Sequence, residues 1–289
     1  MRILMTTNGS SRAEAALRFG AQIARHVSEP PTVLTVIKHQ ADRPPALTDA
    51  ILARARELLE PEVPSVRTKV RIGHPAVEII REAKEGGYDL IIVGNSQNHS
   101  LVKRFLLGST ALRVVERAPC PVLLAKGKPG PIHRILLCDS GAESPSTGLP
   151  LPTRGTVPSL LSRFTAQLAD LLGGEEEVTV LHVMSQMSAG PGVRGKQLRA
   201  SAEGLIAEHA PEGDLLESDV RTLERLGIRP RAEVRHGLVV DEILEEARSG
   251  DYDLVIIGAY RGRGWQRILL DDLARRILVQ LDRPVLVVK

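Results

Sequence analysis

Apolar positions in the first part of the chain gather into five short runs, near residues 2–7, 32–38, 66–72, 88–94 and 121–126. Between them lie longer stretches in which apolar positions recur with a helical period, near 11–27, 46–60, 75–85 and 109–117. Short continuous apolar runs predict strands buried on both faces of a parallel sheet. Pro75 stands where a helix start accepts it, because the first helical N–H has no intrahelical partner to lose. This alternation predicts an α/β fold, a doubly wound parallel sheet with right-handed crossovers that place helices on both faces. Ligands of such sheets bind beyond the carboxyl ends of the strands, where the strand order switches. The loop after the fourth strand, "GNSQNHSLVKRFLLGST" at 94–110, is therefore the first place to look. It supplies a glycine leaving a strand, a polar stretch and a helix start whose orphan N–H groups can face an anion.

The same pattern runs through the chain twice. "YDLIIVG" at 88–94 returns as "YDLVIIG" at 252–258, and Gly73, Glu78, Ile79, Glu82, Ala83 and Gly86 fall on Gly237, Glu242, Ile243, Glu246, Ala247 and Gly250. "RIL" at 2–4 and 134–136, "TVLTV" at 32–36 with "TVLHV" at 179–183, and "PVLLAK" at 121–126 with "PVLVVK" at 284–289 extend the repeat over the whole unit. Two domains are predicted, 1–127 and 131–289, joined by the turn-rich "GKPGP" at 127–131, a link short enough to keep them close. Segments 140–158 and 185–196 lengthen the second domain; rich in Gly, Pro and Ser, they read as mobile insertions.

Composition narrows the functional classes. The 289 residues are 43% hydrophobic but only 2% aromatic, so the cores must be built from Leu, Ile, Val and Ala. The same scarcity removes the stacking platforms of single-stranded nucleic-acid binders. With 38 Lys plus Arg against 35 Asp plus Glu, the surplus of +3 is too small to argue for a nucleic-acid or membrane surface. Cys120 and Cys138 lie in no ligand spacing and read as buried thiols of a reducing compartment. No apolar run approaches the roughly 18 residues of a membrane span, and "MRILMTTNGS" reads as a strand and turn rather than a signal peptide. The expectation is a cytoplasmic protein with neither nucleic acid nor membrane as partner.

With "YDLIIVG", Gly73-His74-Pro75 to Ile79, "KRFLLGST" and "LRVVERAPCPVLLAK" in order, and much of this present twice, the chain resembles the universal stress protein family in tandem. The resemblance implies two doubly wound domains, each with a five-stranded parallel sheet flanked by helices, paired through their last strands within one chain. It further implies, for some members, an ATP site marked by Gly, two residues, Gly, nine residues, then Gly-Ser or Gly-Thr. Gly94 matches the first glycine and Gly108-Ser109 the final pair, with Thr110 next. Asn98 stands before Gly108 with nine residues between them, so the middle glycine is missing and the loop is one residue longer; the repeat offset, 164 at Gly94 and 163 from Arg104 onward, shows the same insertion. Asn tolerates positive φ better than other non-glycine residues, so the site is altered rather than destroyed.

By the same resemblance, Asn8 replaces an acidic residue that follows the first strand. An amide can bond a ribose hydroxyl but brings no charge to a cation, which leaves Mg2+ dependence open. Val36 would offer backbone groups to an adenine edge. The expected cofactor-binding set is Thr7, Asn8, Val36, Gly73, Gly94, Asn95, Asn98, Gly108, Ser109 and Thr110, with His99 and Lys103 beside the loop and Arg104 structural. In the second domain Gly258 keeps the first glycine, but Asp271 and Asp272 stand where Gly108 and Ser109 do. Two carboxylates at a helix N-terminus suit the dipole and repel phosphate, so that site is expected to be degenerate. Arg261, Arg263 and Arg267 offer it an alternative anion site, and Trp265 reads as an interface anchor.

There is no GxxxxGK[ST] loop, GxSxG elbow or HExxH, and no catalytic residue or metal site is expected. The i, i+4 pairs Glu78/Glu82 and Glu242/Glu246 read as solvated helix faces. The leading reading is a regulatory protein that binds an adenine nucleotide, ATP, in the first domain. Two alternatives remain open at this level: a ligand-free interaction scaffold with both sites degenerate, and a slow nucleotide hydrolase. Whether the paired domains form a homodimer is open as well.

Overall fold

The computed structural model describes residues 1–38, 45–95, 108–127, 130–138, 161, 164, 165, 167, 168, 176–184, 200–258 and 265–289. These divide into two compact units: Met1–Pro131 with Leu278–Val287 and Lys289, and Ile132–Ile277 with Val288. Segments 140–158 and 185–196 lie outside the described residues.

In the first unit β1 (Ile3–Thr7), β2 (Thr32–Ile37), β3 (Arg67–Ile72), β4 (Leu90–Gly94) and β5 (Val122–Ala125) lie in the order β3-β2-β1-β4-β5, all parallel. The switch in order falls between β2 and β4, on either side of β1. Helices α1 (Ser11–Ala24), α2 (Pro45–Leu59), α3 (Pro75–Gly86) and α4 (Ser109–Arg117) supply the crossovers. The sheet core is aliphatic: Ile3, Leu4, Met5, Leu90, Ile91, Ile92, Leu123 and Leu124 are fully buried. Each such side chain contributes about 1.5–3 kcal/mol through removal from water. Pro75 opens α3 directly after His74. Strand β10 (Val285–Val288) runs antiparallel along β5, Leu286 facing Leu123.

At that edge two equivalent lysines of the repeat make equivalent bonds. Lys126 Nζ donates to the carbonyls of Leu281, at 2.9 Å, and Leu278; Lys289 Nζ donates to the carbonyl of Ala118 at 3.0 Å. A cation at the carbonyls ending a helix opposes the negative end of its dipole. Burial pushes the Lys126 amine down to about 8, against the opposing attraction of Asp282.

The second unit orders β9 (Leu254–Gly258), β6 (Arg134–Cys138), β7 (Glu177–Met184) and β8 (Arg229–His236) as β9-β6-β7-β8, again parallel, repeating the order of the first. Its helices are α5 (Ala202–Ala207), α6 (Pro211–Glu224), α7 (Val239–Ser249) and α8 (Trp265–Gln280). Helix α5 is extra: it lies in the longer connection between β7 and α6 and packs Leu205 with Met184 and Ala210, with Val234 of β8 against them.

The repeated "YD" is structural. Tyr88 Oη donates to Glu82 at 3.0 Å while Asp89 accepts the Arg2 N–H at 2.6 Å, fixing the start of β1. Tyr252 donates to Glu246 at 2.6 Å and Asp253 accepts the His133 and Arg134 N–H groups, both at 2.9 Å. Burial, with the bond to Glu246, pushes the Tyr252 phenol up to about 12.

Glu78 and Glu82 do not lie on a solvated face, as their spacing alone indicated. They are 6% and 1% exposed, because β3 is an edge strand whose Lys69 and Arg71 reach α3. Glu82 takes Lys69 at 2.7 Å and Arg71 at 2.6 Å; Glu78 takes Arg71 at 3.4 Å and Arg81 at 2.9 Å, and Arg71 also pairs with Glu85. Burial would raise the Glu82 carboxyl, but hydrogen bonds from Lys69, Arg71 and Tyr88 outweigh it and hold it below the usual range. In the second unit Arg235 meets Glu242 at 3.6 Å and Glu246 at 2.6 Å. The helix period shows which residues share a face; it does not show that the facing strand carries their counter-charges.

Candidate functional site

Strands β1 and β4 are neighbours, with Met5 opposite Ile92, so the loops that follow them leave the same edge of the sheet. The turn after β1 is tied by its own side chains. Thr7 Oγ1 accepts the Gly9 N–H at 3.2 Å, Asn8 Oδ1 accepts both the N–H and the hydroxyl of Ser10 at 3.1 and 2.7 Å, and Ser10 Oγ caps α1 by accepting the Ala13 N–H at 3.3 Å. Thr7 is buried and Asn8 exposed. The carbonyl of Asn8 thus shapes the turn.

Gly94 ends β4 beneath the start of α1. A Cβ there would stand 2.9 Å from the Arg12 carbonyl oxygen and 3.2 Å from Ala13 Cα, so only glycine lets the helix approach the strand this closely. Asn95 follows, buried, its N–H bonded to the Ala125 carbonyl at 3.2 Å and its side-chain Oδ1 accepting the Gly108 N–H at 3.4 Å. That bond holds the start of α4 against the end of β4. Gly108 is the N-cap, its carbonyl receiving the Leu112 N–H at 3.0 Å, and among the described residues no side chain caps this helix. Ser109, exposed, and Thr110, half-buried, open α4, presenting orphan N–H groups and two hydroxyls at the carboxyl edge of the sheet.

The structure therefore gathers Thr7, Asn8, Gly94, Asn95, Gly108, Ser109 and Thr110 around the ends of β1 and β4. Val36 stands at the same edge one strand further on, on β2, opposite Arg71 of β3. Gly73 follows β3, and its glycine has a packing cause. Its φ is +145°, its N–H bonds the Ile37 carbonyl at 2.8 Å, and a Cβ would lie 3.0 Å from Glu78 Cγ. Asn98, His99, Lys103 and Arg104 lie outside the described residues. The cluster of Arg71 with Glu78, Glu82 and Glu85 is what the sequence reasoning missed, and the signal for it was present in the matching repeat of Arg71 as Arg235.

In the second unit, the expectation that Asp271 and Asp272 open a helix is corrected. Helix α8 begins at Trp265, so both stand beyond its first turn, and the dipole argument does not apply to them. The repeat aligned the residues correctly, but α8 starts earlier than α4, so equivalent residues hold different helical positions. Arg261 and Arg263 lie outside the described residues, as do the side chains of Trp265 and Arg267. Among the described residues no group of His, Cys, Asp or Glu has the arrangement of a metal site. None of their helices is long and apolar enough to cross a membrane.

Fold and repeat define a tandem of doubly wound α/β units. Residues 1–126 and 162–289 each match the universal stress protein family, and the chain belongs to that family. Over 197 residues it is 32% identical to a Na(+)/H(+) antiporter of Synechocystis sp., a stretch covering 63% of this chain and 25% of the antiporter. Over 122 residues it is 27% identical to a universal stress protein of the same organism, covering 42% of this chain and 41% of that protein. It thus spans a quarter to two-fifths of the length of these relatives. A universal stress protein from Archaeoglobus fulgidus DSM 4304 shares the fold at a TM-score of 0.64 and 17% identity, covering 100% of this chain and 98% of that one.

Proposed function

We propose that the first unit binds an adenine nucleotide, ATP, and that its bound state serves as a regulatory signal in a cytoplasmic stress response. The observation that carries this reading is the start of α4: Gly108-Ser109-Thr110, with no side-chain cap among the described residues, held by Asn95 at the carboxyl end of β4, beside the Thr7-Asn8 turn. Orphan N–H groups and hydroxyls at that point fit phosphate oxygens. Asn8 would face the ribose, and backbone groups at Val36, with Gly73 beyond β3, would meet the base. Asn8 brings no charge, so any Mg2+ would be held chiefly by the phosphates themselves. The second unit lacks the Gly-Ser pair at the equivalent position, which supports one site per chain. Cys120 and Cys138, both buried and in no disulfide, fit a reducing compartment. The reading assigns the site residues binding rather than turnover.

Ser109→Asp tests it. The new carboxylate suits the helix N-terminus, by about 0.3–1 kcal/mol, yet repels phosphate. ATP binding measured by calorimetry should be lost while the thermal midpoint stays at or slightly above the wild-type value. An unchanged affinity would remove α4 from the site and the reading with it.

A further inference from the structure

Strand β3 is an edge strand: among the described residues it pairs with β2 alone. Its backbone alternates in direction. The Arg67 N–H bonds the Pro31 carbonyl and the Gly73 N–H the Ile37 carbonyl, so the odd-numbered residues face β2 and Thr68, Val70 and Ile72 turn their N–H and C=O groups outward. All three are β-branched, and Val70 and Ile72 are 41% and 49% exposed, among the large apolar side chains most open to solvent.

The second unit treats the matching edge differently. On β8 the Gly237 N–H bonds the Met184 carbonyl, which by the same alternation turns Pro230 outward, where its missing N–H blunts the edge. Val234, the equivalent of Val70, packs against the cluster of Met184, Leu205 and Ala210 that α5 helps to build. His236, the equivalent of Ile72, meets the Ala200 carbonyl at 3.0 Å. The β2–α2 connection of the first unit, residues 38–44, is shorter.

We propose that β3 is a self-association edge, at which a second copy of this chain adds its own β3 in antiparallel register about Val70. In that register Val70 faces the partner's Val70 and Thr68 faces the partner's Ile72, each pair exchanging both backbone groups. β-Branched cross-strand pairs of this kind are the favourable unit of sheet addition. The basic side chains on the opposite face of the strand do not oppose it. Lys69 and Arg71 are already neutralised by Glu78, Glu82 and Glu85 of α3 in the same chain. The inner edge of this sheet, at β5, is taken by β10, which leaves β3 as the edge where the unit can extend.

Sedimentation equilibrium of the full chain over a wide concentration range tests the proposal. The wild type should reach twice the 31.4 kDa chain mass. Val70→Pro removes an outward N–H without touching the β2 ladder, and Val70→Lys keeps the backbone but places a charge on the two-fold axis. Each should raise the dissociation constant by about tenfold or more while leaving the thermal midpoint near wild type. A chain that stays at 31.4 kDa throughout overturns the proposal. So does a dimer that survives both Val70→Pro and Val70→Lys, because such a dimer would use another surface.

Discussion

Glu82 shows how much one side chain carries in this fold. Almost fully buried, it accepts from Lys69, Arg71 and Tyr88, so its charge is met by two cations and a phenol O–H. Removing the charge leaves two cations facing a neutral amide, and Glu82→Gln should cost about 3 kcal/mol in denaturant unfolding. The pH dependence follows from the direction of the shift. The folded carboxyl lies below its ordinary 4.5, so the stabilisation is fully present above that pH and is lost as pH falls through the lower folded value. Glu82→Gln should therefore flatten the acid limb of the stability profile; an unchanged limb would mean that the cluster contributes nothing on folding.

At the scale of elements, the approach of α1 to β4 decides the shape of the candidate site. Gly94→Ala must push the Arg12 carbonyl away, and it should destabilise the chain by about 1–3 kcal/mol and weaken nucleotide binding together, because the same contact sets the β1 and β4 loops. A variant with full stability would show that the helix has room. The helix starts at Pro75 and Ser109, and the buried strands β1, β4 and β5, were legible because uninterrupted aliphatic runs and end signals report local structure directly. Strand β3, "RTKVRI", also showed in the pattern, though its half-polar edge character became visible only once its neighbours were known. Two things were not legible. The start of α8 at Trp265 depends on backbone that runs on before Asp271, and the Glu78-Glu82 cluster depends on a strand in contact across the sheet. Of the candidate site, the repeat and glycine pattern pointed to the loop, but did not show that Asn95 ties β4 to α4 or that Asn8 folds its own turn.

For the molecule as a whole, the terminal strand β10 locks onto β5, and Lys126 ties the carbonyls that end α8 to that edge. The folded chain releases the Lys126 proton near pH 8 and the unfolded chain near 10.5. Between those values the unfolded state holds more protons, so this residue makes stability rise with pH. Urea midpoints of wild type and Lys126→Met should diverge in the wild type's favour from pH 8 to 10; parallel profiles would mean that the amine is not desolvated. The number of nucleotides bound per chain is read by calorimetric titration of ATP into nucleotide-stripped protein, with and without magnesium. One nucleotide per chain is the predicted result, with binding lost in Ser109→Asp. Two per chain would contradict the single site by showing that the second unit binds without the Gly-Ser pair, and no binding at millimolar ATP would contradict the nucleotide reading itself.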